Sequence, residues 1–392
     1  MPQIAGQGVL VPNVLCALVV ATAFGAVRSE AAEPGTASGA YASAKTCQSC
    51  HRTIHLYWSE SEHGRSAVKP SYLEALRTAV DGAVDPNRVR RDCVSCHAPT
   101  ALVTGDFELK QSLTREGVSC DFCHTVADVD LDKADHPFDL RPGRVKRGPL
   151  EYAKSPSHGM AYSPLHKSSS LLCAACHEYK NALGVRVLST YTEWKDGPYP
   201  ARGMNCQECH MPLVPGDSVR EGLPSTRRVI NLHRMTGGSA ASQIDKGLAL
   251  RIESLTVGAA TADVHVVVTN AAAGHAVPGG LSTKTLLLAV GVETASGELL
   301  HRQERAYRRE LKDAEGRTLV RVPDLFLKAA SVGEDSRLKP RESRTERFTI
   351  PIPEGARAIV ARLEYRDASD PSAPPKTTVI TEQRRVPRSG EP

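Results

Sequence analysis

Ten of the eleven cysteines in this chain fall into one pattern, repeated five times. The repeats are Cys47-Gln-Ser-Cys50-His51, Cys93-Val-Ser-Cys96-His97, Cys120-Asp-Phe-Cys123-His124, Cys173-Ala-Ala-Cys176-His177 and Cys206-Gln-Glu-Cys209-His210. Zinc knuckles require neither a following histidine nor an odd number of cysteine pairs. Thioredoxin-like chemistry uses one such pair on a βαβ background, and a disulfide framework has no reason to repeat one spacing. Cys-x-x-Cys-His is the attachment signature of c-type haem. Two thiols three residues apart each reach one vinyl group on the same edge of a porphyrin, and the adjacent imidazole then lies beneath the ring as proximal ligand. The motifs therefore predict five covalent haem c groups, with His51, His97, His124, His177 and His210 as proximal ligands.

That reading constrains the fold. Residues 44–240 hold every motif, many Gly and Pro, and few aliphatic runs. At roughly 40 residues per haem the polypeptide has too little apolar side chain for its own core. The porphyrins must be the core, inside short helices and long loops that are unfolded without them. Cys93 and Cys120 are only 27 residues apart, which predicts a close haem pair there. Beyond a Gly/Ser/Ala joint at Gly237 to Ser242 the texture changes. Leu248-x-Leu250-x-Ile252, Val264-x-Val266-x-Val268, Leu286-x-Leu288-x-Val290-x-Val292, Phe348-x-Ile350 and Ile359-x-Ala361-x-Leu363-x-Tyr365 alternate at strand period. Ala295-Ser296-Gly297 reads as a hairpin turn. Residues 245–386 are thus expected to form an antiparallel β-sandwich. The predicted class is α+β, a loop-rich and mostly helical multihaem domain followed by the sandwich. No nucleophile or acid pair is grouped in the second domain, which reads as a docking or stabilising module.

The apolar run Val9 to Ala26 resembles a secretory leader, although no Lys or Arg precedes it. Residues 1–31 are read as a signal peptide, with cleavage after Gly25 or Ala31, and residues 32–43 as a flexible linker. An uncleaved anchor is the competing reading, but the run is short for a spanning helix. Cys16 leaves with the leader. No later segment is apolar enough to span a bilayer, so export to the periplasm is expected. The formal charge is +5. Roughly one negative charge added per haem would bring the folded protein near neutrality. No basic stripe suggests nucleic acid.

Nine of the fourteen histidines lie outside the motifs: His55, His63, His136, His158, His166, His233, His265, His275 and His301. Imidazole on both faces of a haem suits electron transfer, whereas an empty face admits a substrate. Asn270 to Gly280 reads NAAAGHAVPGG, a Gly/Pro-framed loop between strands that would hold His275 at the sandwich edge facing the haems. His55 lies too near its own motif, while His265 sits mid-strand and His301 just past a strand, and both read as solvated or packed. Met211 adjoins a proximal histidine and reads as packing, while Met160 and Met235 are weaker ligand options. Trp58 and Trp194 read as haem-packing aromatics. The loop Arg141 to Arg147 reads as a solvated turn that could pair with propionates.

Several segments carry a resemblance. Six residues separate the first motif from Trp58, and Ser61-Glu62-His63 follows. Further on come Gly117-Val118-Ser119, Ser155-Pro156-Ser157-His158, Thr190-Tyr191-Thr192-Glu193-Trp194 and Cys209-His210-Met211-Pro212. In this order they resemble the cytochrome c554-type multihaem family, specifically members ending in a β-sandwich. The resemblance implies His63, His158 and His233 as distal ligands. With His275 that makes four. His136 and His166 compete for the fifth place, and a vacant face is the third option.

These readings favour an electron carrier between redox proteins over an enzyme. Pentahaem nitrite reductases usually place Lys in one motif, whereas all five motifs here end in His. The alternatives are a reductase or oxidase of a small nitrogen or sulfur compound at one open-faced haem, and a subunit of an extracellular conduit or filament.

Overall fold

The motif-bearing half is built from short helices with explicit start signals. Pro70 and Pro86 open the two longest helices, Pro70–Asp81 and Pro86–His97, where a missing N–H costs nothing. Asp85 caps the second by accepting from Arg88 N, and Ser61 and Ser119 cap Glu62–Arg65 and Cys120–Cys123 in the same way. Asn205 and Glu208 form a reciprocal capping box on Cys206–His210. Four of the five motifs lie on such helices, at Pro86–His97, Cys120–Cys123, Leu171–His177 and Cys206–His210. Cys47 lies on the first helix, Ala44–Gln48. Thiols three positions apart on a helix share a face, so local structure alone aims the other four pairs the same way.

The computed structural model describes residues 40–133, 136–223, 228–237, 241–293, 298–354, 356–369 and 377–386. The leader reading, the turn at Ala295–Gly297 and residues 238–240 of the joint lie outside them. Chain from Thr36 onward forms one compact unit. Between the helices run small two-stranded ladders, for example Glu178–Lys180 with Arg186–Ser189. Buried apolar residues in this half gather in two small clusters, one around Phe122, Val126 and Phe138 and one of Ala67, Val94, Ala98 and Ala101. Neither is a core for so long a segment.

The second half has a core of its own. After the helix Ala241–Gly247, strands Leu248–Val257, Thr261–Asn270 and Ser343–Pro351 form an antiparallel sheet with Thr261–Asn270 in the centre. Strands Leu299–Tyr307, Lys284–Glu293, Ala358–Asp367 and Thr377–Arg385 form a second, in that order. One cluster fills the space between the sheets, from Ile252, Val264, Val266 and Val268 to Leu286, Leu288, Val290, Phe348, Ile350, Ile359 and Leu363. Burying each such side chain contributes about 1.5–3 kcal/mol. The architecture is the expected α+β combination, an antiparallel sandwich following a loop-rich helical half.

The two halves meet in a third cluster. Val185 and Val187 of the first half pack with Leu311, Leu325 and Ala329 of the second. Around it, Asn181 donates to Ala329 O at 2.8 Å. The buried Arg309 donates to Arg186 O at 2.7 Å and Ser189 Oγ at 3.1 Å.

Candidate functional site

Four of the five motif histidines stand opposite a second imidazole. Ring centres are 6.3 Å apart for His51 and His158, 6.1 Å for His177 and His63, 6.4 Å for His124 and His233, and 6.4 Å for His210 and His275. A metal bound by two imidazole nitrogens at about 2 Å each, each nitrogen about 1.2 Å from its ring centre, sets the centres roughly 6.4 Å apart. The four pairs therefore fit a shared iron.

Ring nitrogens give a second test. His51 donates its Nδ1–H to Ser218 O at 2.5 Å, His97 to Ser66 O at 3.2 Å, His124 to Arg147 O at 2.5 Å and His210 to Thr236 O at 2.8 Å. On the facing side His158, His233 and His275 donate to Gly159 O, Asn231 O and Ala276 O at 3.1, 2.7 and 2.9 Å. His63 donates instead to Met235 Sδ at 3.0 Å. A partner on Nδ1 fixes the tautomer whose Nε2 lone pair is free for a metal. Burial pushes His97 and His233 down to about 4 and His177 to about 3, which favours the neutral form of those three rings.

His166 and His136 fail the same test. His166 is 5.7 Å from His124, but its Nε2–H donates to Cys123 O at 2.8 Å and its Nδ1 faces Ser163 Oγ at 2.8 Å. Both nitrogens are taken. His136 accepts Phe138 N on Nδ1 at 3.3 Å and sits by the Phe138 ring, so its Nε2 is the protonated nitrogen. The ring contacts of these two histidines are with His124 and Phe138, not with His97.

His97 instead stacks on Tyr72, with ring centres 3.9 Å apart and planes 11° from parallel. That gap is too small for an iron, so Tyr72 flanks the imidazole rather than opposing it. Among the described residues no second imidazole ring contacts His97. Tyr72 was invisible to motif reading. Its place in a helix opened by Pro70 only marks it as one face of an amphipathic segment.

Several buried polar atoms without a hydrogen-bond partner adjoin these histidines, among them Tyr72 Oη and Arg147 Nη1. Such atoms are costly unless a further group satisfies them. A haem carboxylate suits Arg147, whose own carbonyl holds His124. Elsewhere in the basic loop, Arg141 pairs with Asp139, while Lys146 reaches the buried Asp121.

Cysteines of different motifs also meet. The sulfurs of Cys47 and Cys120, Cys96 and Cys176, and Cys173 and Cys206 lie against each other. The third motif thus adjoins the first, and the second adjoins the fourth, whose cysteines also lie near Cys123 of the third. The helix Pro86–His97 packs back on Pro70–Asp81. Trp58 and Trp194 serve as anchors, donating Nε1–H to Val118 O and Met204 O at 2.9 and 2.8 Å.

Residues 46–125 match the cytochrome c554 and c-prime family. No curated protein sequence matches the chain. Among solved structures, a pentahaem cytochrome c552 from Thermochromatium tepidum superposes with a TM-score of 0.71 at 20% identity, covering 88% of this chain and 99% of that one. A β-glucosidase from Kluyveromyces marxianus (TM-score 0.17, 10% identity, 36% of this chain and 14% of that one) overlaps too little to bear on the fold. In the described residues no helix is long and apolar enough to cross a membrane. The superposition shows that the chain shares the fold of that pentahaem cytochrome, and the family match spans the segment that holds the first three Cys-x-x-Cys-His motifs.

Proposed function

We propose that this chain is an exported, periplasmic pentahaem cytochrome that passes electrons between redox partners. Cys47/Cys50, Cys93/Cys96, Cys120/Cys123, Cys173/Cys176 and Cys206/Cys209 hold the five groups. His51 with His158, His177 with His63, His124 with His233 and His210 with His275 ligate four of them from both sides. Haem c, when bound, supplies reversible one-electron chemistry at iron. The protein's part is to fix the ligands, exclude water and set local charge. The observation that carries the reading is the four imidazole pairs near 6.3 Å, with Nδ1 engaged on seven of the eight rings, which directs Nε2 to a metal.

A second reading, reduction of a small nitrogen or sulfur compound, is favoured by one feature. His97 faces no second imidazole among the described residues, and Tyr72 keeps to its flank. Electron paramagnetic resonance of the oxidised protein tests both. One high-spin ferric centre beside four low-spin ones is expected. Five low-spin centres would remove the open face, and two or more high-spin centres would break the pairing scheme. Turnover of nitrite or hydroxylamine, with a shift of the high-spin signal, would favour the enzyme; a silent signal keeps the carrier.

A further inference from the structure

The sandwich contributes one residue to the paired histidines, His275, and a single carboxylate of the other half holds the loop that carries it. Glu193 lies in the short helix Thr190–Lys195. Its Oε2 accepts Ala276 N at 3.0 Å, and its Oε1 accepts Ser189 Oγ at 2.6 Å and Arg337 Nη2 at 2.7 Å. Ala276 is the residue whose carbonyl fixes His275 Nδ1. His275's own carbonyl is taken by the fully buried Asn270, which also reaches Leu338 O. His275 is thus held through its carbonyl, its ring and the next N–H, and only the last hold comes from outside the sandwich. Gly274 adds a steric seat, since a Cβ there would lie 3.2 Å from Trp194.

The charge arrangement makes the contact specific. Arg337 is 5% exposed and Glu193 15%, and Arg337 also pairs with Asp335 at 2.7 Å. A buried ion pair of this kind does little for stability against an apolar substitute, but it does select one geometry. Hydrophobic contact alone at Val185, Val187 and Leu325 would tolerate a small slide between the halves. A ligand loop cannot.

We propose that Glu193 is the positioning residue for His275, registering the sandwich against the motif-bearing half so that its imidazole stands over His210. The inference rests on His275 ligating the haem at His210, and the tests separate the two claims. In His275→Ala the high-spin share of ferric haem rises from one-fifth to two-fifths; an unchanged spectrum refutes the ligand assignment itself. With that rise in hand, Glu193→Ala is expected to raise the high-spin share in the same direction, with full haem content, and added imidazole is expected to reverse it. Glu193→Gln, which retains an acceptor for Ala276 N–H, is expected to remain close to wild type. Wild-type spin state and midpoint potentials in Glu193→Ala would overturn the positioning role. Hydrogen exchange on the unmodified holoprotein provides a reading independent of any variant. The Ala276 amide should exchange as slowly as the sandwich core, and exchange at the rate of an exposed loop would overturn the proposal.

Discussion

Replacing Gly117 with alanine is expected to disturb two motif histidines from a position outside every attachment motif. Gly117 ends a short 3-10 turn with φ 71° and ψ −137°, a region that residues with a Cβ scarcely enter. Holding alanine there costs about 1–3 kcal/mol. The added Cβ would lie 2.5 Å from His63 O and 2.6 Å from Ser66 Oγ, distances that force movement and cost about 1–3 kcal/mol more. Neither neighbour can yield freely. His63 O accepts Val118 N at 3.0 Å and Ser66 Oγ at 2.8 Å, and the same hydroxyl holds His97 O at 2.6 Å. Moving Ser66 therefore disturbs His97, and moving His63 disturbs the ring facing His177. The expected loss is roughly 2–6 kcal/mol, with a rise in high-spin haem as His63 leaves its place. Gly105→Ala is the control, because Gly105 has φ 73° but nothing within 4 Å of a new Cβ. It should lose only about 1–2 kcal/mol. Unfolding midpoints in guanidinium and paramagnetic resonance spectra of both variants provide the assay. If Gly117→Ala matches Gly105→Ala in both, the steric argument fails.

Three further outcomes follow from the same structure. Burial pushes the Asp335 carboxyl up, but the hydrogen bonds and charge of Arg337 more than offset this and hold it below the ordinary carboxylate range. A depressed folded value means stability that is complete above the unfolded pKa of about 4 and is lost as pH falls through the folded one. Acid titrations of unfolding should accordingly show a shallower loss in Asp335→Asn than in wild type below about pH 4; parallel curves would deny the coupling. In Met235→Gln an amide oxygen replaces the thioether that accepts His63 Nδ1–H. A stronger acceptor makes the imidazole more basic. The potential of the haem at His177 should fall by roughly 20–40 mV, the equivalent of about 0.5–1 kcal/mol, and spectroelectrochemistry would detect a rise or no change. Finally, chain produced without haem insertion should be cleaved by protease within residues 44–240 while the sandwich core from Leu248 onward resists. A protected first half would show that it folds on its own polypeptide.

What could be read beforehand divides along the range of the interaction. The attachment motifs need only five neighbouring residues, and the strands need only alternation. Val264, Val266 and Val268, then Leu286, Leu288 and Val290, are all fully buried in the inter-sheet core that their period implied. His275 was legible because Gly and Pro frame its loop. Its clamp was not, since Glu193 and Arg337 look like solvated charges until two distant segments meet. His166 shows the limit from the other side. It lies near a motif histidine, as a sequence reader would wish, yet Cys123 O occupies the nitrogen that matters. Backbone carbonyls decide which imidazoles are free, and carbonyls leave no mark in a sequence.

The pairing itself explains why the first half tolerates so little apolar core. Each motif histidine is delivered by the motif's own helix or the turn that ends it, while the imidazole facing it comes from 65 or more residues away along the chain, as in His210 with His275 or His63 with His177. Closing such loops costs entropy that grows only slowly with length, so remote donors are scarcely dearer than near ones. The compensating free energy comes from ligation, which couples folding to the bound group. On the proposed ligation, four pairs would tie the early helices, the middle loops and the sandwich into one unit. His97 is the exception, and it can be, because its helix is already secured by packing of Val94, Ala98 and Ala101 on Ala67 and by the Ser66 contacts on both its carbonyl and its ring. Among the described residues, the one motif histidine without a facing imidazole is thus the one whose helix is already secured by packing, and on the proposed reading its haem would keep a face open for chemistry.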